Sequence, residues 1–117
     1  MFFPEQQVRV FLCTQPTDMR KSFAGLRALT RQVLNEDPLS GALFVFLNRR
    51  GTYVKVLYWD RTGFCIWSKR LEQGTFARGD AGTIKRELDV TRLKCLLEGI
   101  DVSQVRQRKR FLQKRAA

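Results

Sequence analysis

The side chains best suited to chemistry in this chain are arginines and lysines, and they come in series. Arg20, Arg27 and Arg31 recur at intervals that one helix face would present together. Arg49 and Arg50 stand side by side ahead of Gly51. Arg106, Arg108, Lys109, Arg110, Lys114 and Arg115 crowd a short stretch without a single acid. A guanidinium carries a permanent charge and a planar fork of donors, which is the chemistry that holds phosphate.

The balance of the whole chain points the same way. Its 117 residues hold 22 Lys and Arg against 11 Asp and Glu, a formal net charge of +11. On so small a body this surplus costs self-repulsion, and a polyanionic partner accounts for it. The excess is uneven. Residues 1–60 carry eight basic and five acidic side chains, and residues 61–117 carry fourteen and six.

Catalytic chemistry finds little support. There is no histidine, which removes the commonest general base and every Ser/His or Cys/His arrangement. Asp18 and Asp89 read as helix caps, Asp60 as a turn residue and Asp80 as a loop residue. Asp18, Asp60 and Glu72 could converge from three elements into a metal-dependent nuclease site, the alternative left for an enzyme. Neither a GxxxxGK(S/T) phosphate loop nor a GxGxxG dinucleotide fingerprint occurs. Cys13, Cys65 and Cys95 are odd in number and form no CxxC pair, so they read as inert thiols rather than zinc ligands. No catalytic residue, metal ligand or cofactor is expected.

The elements that must position the cations follow from periodicity. Residues 8–13 read as a strand, which Pro16 stops, with Thr17 or Asp18 as the N-cap of a following helix. Met19, Phe23, Leu26, Val33 and Leu34 form its apolar stripe, and Pro38 ends it. Arg20, Arg27 and Arg31 then line an arc beside that stripe, where a solvated face would mix signs. Residues 42–47, 53–59 and 64–69 read as three strands of a meander. Gly51 and Gly63 supply positive φ in its turns, and Arg49 and Arg50 sit at one of them. The first two strands are oily on both sides. Phe44, Phe46, Val54 and Val56 are assigned to one face, and Leu43, Val45, Leu47 and Leu57 to the other. With only two helices in view, a second copy of the chain or a partner protein is expected to close one face.

A loop at residues 78–82, a short strand at 83–88 and a helix capped by Asp89 complete the pattern. That helix presents Val90, Leu93, Leu96 and Leu97 and closes at Gly99. Tyr58, Trp59, Phe64 and Trp67, interleaved with Lys55, Lys69 and Arg70, read either as sheet core or as a base-stacking platform with cationic edges. The expected fold is α+β, a central antiparallel β-meander of four to five strands with an N-terminal amphipathic helix and a C-terminal helix. It forms a single domain over residues 1–101, followed by a basic tail over 102–117. The mixed composition, 44% hydrophobic, fits a packed domain rather than a disordered polycation. No apolar run reaches the ~20 residues that span a bilayer, and no signal peptide is evident. A cytoplasmic protein without a membrane partner is expected.

Several ordered segments carry a family resemblance. Pro16-Thr17-Asp18-Met19-Arg20-Lys21-Ser22-Phe23, Leu57-Tyr58-Trp59-Asp60-Arg61-Thr62-Gly63-Phe64, Lys69-Arg70-Leu71-Glu72-Gln73-Gly74 and Leu96-Leu97-Glu98-Gly99-Ile100-Asp101 resemble the TnpB-type accessory protein of the insertion-sequence 66 family. This TnpB shares only its name with the RNA-guided nucleases. The likeness spans roughly residues 8–101, with Ser22 where glycine is common in such proteins. It implies a bacterial mobile element in which a separate, larger chain carries the transposase chemistry and this chain assists. It brings no catalytic residues to transfer.

The combined expectation is a non-catalytic accessory protein of transposition that binds DNA, at the element ends, through the arginines and lysines named above. Its partners would be the transposase and other co-encoded proteins. The alternative is an adaptor that docks on the transposase through the second apolar sheet face, with little direct DNA contact.

Overall fold

The structure, a computed structural model, describes residues 8–79 and 82–99. The tail cations from Arg106 to Arg115 and the boundary drawn between residues 101 and 102 lie outside these residues.

A continuous apolar run forms the middle of the sheet. Strand β2 (Leu43–Leu47) is buried at every position, as a strand covered on both faces must be. Strand β3 (Tyr53–Asp60) and strand β4 (Gly63–Arg70) follow it in antiparallel hairpins. These three are the expected meander. The sheet itself is mixed, however, and has five strands in the order β4-β3-β2-β1-β5. Strand β1 (Val10–Cys13) lies parallel to β2, and β5 (Lys85–Leu88) pairs antiparallel with β1. Parallel neighbours need a crossover between them, and the first helix supplies it. The meander is therefore one side of the sheet, not its centre.

Helix α1 (Phe23–Gln32) begins later than its apolar stripe predicts. Neither Thr17 nor Asp18 caps it; the cap position is Ser22, without a side-chain bond. Residues 14–21 are spent elsewhere. The Thr17 N–H donates to the Leu47 carbonyl at 2.8 Å, and Lys21 N–H to the Asp18 carbonyl at 3.1 Å. The chain thus crosses the end of the sheet and turns before it coils. Phe23, at the start of the helix, is 46% exposed. Helix α2 (Val90–Leu97) starts as expected, with the Asp89 carboxylate accepting from Arg92 N–H at 2.7 Å.

Each helix covers one sheet face. Leu26 of α1 packs with Phe11, Cys13, Phe44, Phe46 and Leu57. Leu93, Leu96 and Leu97 of α2 pack with Val10, Leu12, Leu43, Val45, Leu47, Val54, Val56 and Phe76. Two sequence expectations change. Register pairs Phe44 with Leu57 and Val45 with Val56, so Phe44 and Phe46 share a face with Leu57, not with Val54 and Val56. Among the described residues the second apolar face is packed from within the chain by α2 and Phe76, with Tyr58, Trp67 and Leu71 only partly buried beside them.

The two meander turns also differ. Gly51 has the expected positive φ of 71°. In the second hairpin Asp60 pairs directly with Gly63, and Arg61 rather than Gly63 takes positive φ, at 48°. All three cysteines are free, and burial pushes the Cys13 thiol up.

Candidate nucleic-acid interface

The β2–β3 turn is held from below so that its arginines can point outward. Asn48 Oδ1 accepts from the N–H groups of Thr52 (2.9 Å) and Tyr53 (3.1 Å), and the Gly51 N–H donates to the Asn48 carbonyl at 3.1 Å. Phe76 N–H donates to the Gly51 carbonyl at 2.6 Å. Arg78 then reaches in from the following loop and donates to the carbonyls of Asn48 and Arg49. Its Nε is buried without a hydrogen-bond partner, so those two carbonyls carry its bonding. With the backbone committed in this way, the Arg49 and Arg50 side chains remain exposed and without a carboxylate partner among the described residues.

Arg20 meets them from the crossing segment. Arg20, Arg49, Arg50, Tyr53 and Arg70 line one open cleft of about 470 Å³, although they come from three separate parts of the sequence. Asp18 is the one acid in its lining, and it is engaged. Its carboxylate accepts from Arg20 Nε at 3.1 Å, Nη2 at 2.7 Å and the backbone N–H at 2.9 Å. These bonds, with the Arg20 charge, lower the Asp18 carboxyl from its ordinary 3.8 to about 2. It stays ionised at neutral pH and cancels one guanidinium, which leaves Arg49, Arg50 and Arg70 as the cleft's free positive charge.

Tyr53 and Arg70 face each other across the β3–β4 pair. The Arg70 guanidinium carbon lies 4.8 Å from the Tyr53 ring centroid, a cation–π arrangement. Lys55, two residues along the same strand face, places its ammonium 6.0 Å from that centroid and donates to the Lys21 carbonyl at 2.8 Å. Arg70 is the cleft residue that the sequence assignment of binding sites omits. Its signal was the alternation of aromatics and cations on β3 and β4, but only the register reveals that Tyr53 is its partner.

The proposed aromatic platform divides. Trp59 and Phe64 lie on the α1 face in an edge-to-face contact of 5.0 Å, while Tyr58 and Trp67 pack on the α2 face. Lys69 points to the α2 side as well, donating to the Leu97 carbonyl at 2.8 Å. Arg27 lies over the Phe64 ring at 4.7 Å, and Arg31 lines a shallow groove with it along α1. Arg20 and Arg27 are therefore not one helical series, because Arg20 precedes the helix. The nuclease acids do not gather: Asp60 ends β3 at the opposite end from Tyr53 and the cleft, and no group of three His, Cys, Asp or Glu suited to a metal occurs among the described residues. No helix of the described residues is long and apolar enough to cross a membrane.

Comparison with known proteins identifies the family of the chain. The sequence model described as IS66 Orf2-like protein matches residues 8–107. The uncharacterised protein y4hO of Sinorhizobium fredii is 41% identical over 96 residues, covering 82% of this chain and 84% of its own. A second protein of that organism, y4jC, is 31% identical over 108 residues, 92% of each chain. No solved structure matches. The chain belongs to the IS66 Orf2-like family and is a transposition-associated accessory protein of insertion-sequence elements.

Proposed function

We propose that the protein serves transposition by binding DNA without catalysing a reaction itself. Arg49, Arg50 and Arg70 meet phosphates in the cleft beside Arg20, which Asp18 holds paired, Arg27 and Arg31 extend the contact along α1, and Arg106, Arg108, Lys109, Arg110, Lys114 and Arg115 add a second basic stretch. The element ends are its DNA, and the transposase and other co-encoded proteins are its partners there. One observation carries the reading: guanidinium groups from three distant segments converge on a cleft whose single carboxylate is already neutralised. Such contacts hold and orient a nucleic acid without reading its sequence.

The test is a binding titration of the full chain on element-end DNA and on scrambled DNA at several salt concentrations. Each phosphate contact contributes about −0.9 to the slope of log K against log salt on duplex. Arg49→Ala with Arg50→Ala should flatten that slope by about 2 and weaken both DNAs alike. An unchanged slope would remove the cleft from the interface. Neutralising the six tail cations should flatten it separately.

A further inference from the structure

Tyr53 distinguishes the cleft from a plain phosphate-binding surface. It is the first residue of β3, half-buried, and its ring forms part of the cleft wall under the Arg70 guanidinium. The ring and the guanidinium together offer flat surface with a charged rim. A duplex keeps its bases stacked inside and presents phosphates to the outside, so it can engage the exposed turn at Arg49 and Arg50 but has no base face to lay against the half-buried ring. An unpaired strand does. Each of its bases has a free π-face that stacks on an aromatic or guanidinium plane, while the flanking phosphates stay within reach of cations.

We infer that the cleft takes single-stranded DNA in preference to duplex, stacking one unpaired base on the Tyr53–Arg70 pair while Arg49 and Arg50 hold the neighbouring phosphates. This rests on the DNA-binding reading above and adds the strand preference.

Fluorescence anisotropy on the full chain tests it with three ligands at one salt concentration. They are a labelled single strand of about 12 nucleotides, within the site sizes of single-strand binders, a hairpin duplex of the same sequence, and the single strand with abasic positions. The intact single strand should bind several-fold more tightly than the hairpin. The abasic strand should lose about 5- to 150-fold, the range expected for one stacked base. Tyr53→Ala should lose a similar factor on the intact single strand and almost nothing on the hairpin, while Tyr53→Phe keeps the affinity. The abasic arm leaves the protein unaltered, so it decides the matter even if Tyr53→Ala folds poorly. Equal affinity for intact and abasic strands overturns the base platform and leaves the phosphate interface standing. Absence of salt-sensitive binding to any of the three overturns both.

Discussion

Lys69, on the edge strand β4, donates its ammonium to the main-chain carbonyl of Leu97 at 2.8 Å. That carbonyl belongs to the last turn of α2, where helix carbonyls lack internal partners and the helix dipole is negative. One cation therefore fastens the C-terminal end of a helix to the far edge of the sheet. Lys69→Met keeps the apolar stem and removes the contact, so it should destabilise the fold by about 0.5–1.5 kcal/mol. Urea unfolding measures the loss, and faster amide exchange confined to α2 would locate it. An unchanged midpoint would mean the contact contributes nothing in solution.

Arg61 holds φ at 48° in the β3–β4 hairpin, a region that costs a side chain with a Cβ about 1–2 kcal/mol. Arg61→Gly should accordingly stabilise the protein by roughly 0.5–1 kcal/mol. Chemical denaturation of the native chain and the Arg61→Gly variant compares them directly. Loss of stability on introducing glycine would show that the Arg61 side chain makes contacts that outweigh its backbone strain.

Gly51 is held by its backbone conformation. Its φ is 71°, a region that side chains bearing a Cβ rarely adopt. Gly51→Ala should cost more than about 1 kcal/mol, and it should also weaken DNA binding, because this backbone sets where Arg49 and Arg50 stand. Thermal unfolding and the titration described above, read together, separate the two effects. A variant with normal stability and normal affinity would contradict this account of the turn.

Asp18 makes the acid side of the pH profile predictable. Its folded carboxyl, at about 2, lies below the ordinary 3.8. Stability from its contact with Arg20 is therefore fully present above the ordinary value and lost as pH falls through about 2. A carbon-detected NMR titration should place its midpoint near 2; a midpoint at 3.8 would mean the pair is open in solution. Asp18→Asn frees the Arg20 guanidinium and removes the cleft's one acid. DNA should then bind more tightly, with the salt slope steeper by about 1.

Much of the architecture was readable from residue order. The unbroken apolar run at Leu43–Leu47 announced a strand covered on both sides, Asp89 announced the start of α2, and Gly51 announced its turn. The start of α1 was misread because Met19 and Phe23 continue a helical spacing although the chain there is still crossing the sheet end. Hydrogen bonds from Thr17 to Leu47 and from Lys21 to Asp18 outweigh that periodicity. The faces of β2 and β3 were mismatched because alternation within a strand says nothing about its register against the next one. Slipping the pairing by one residue sends every side chain to the opposite face.

For the proposed interface, composition supplied the kind of chemistry: a surplus of guanidinium and ammonium groups suits an anionic partner. Only tertiary structure decided which cations meet. Arg20 is 29 residues from Arg49 and 50 from Arg70 in the chain, and no local pattern links them. They converge because the crossing segment, the β2–β3 turn and the end of β4 come together at one end of the sheet, a consequence of strand order and register. Charge is a property each residue brings with it; proximity has to be made by long-range pairing.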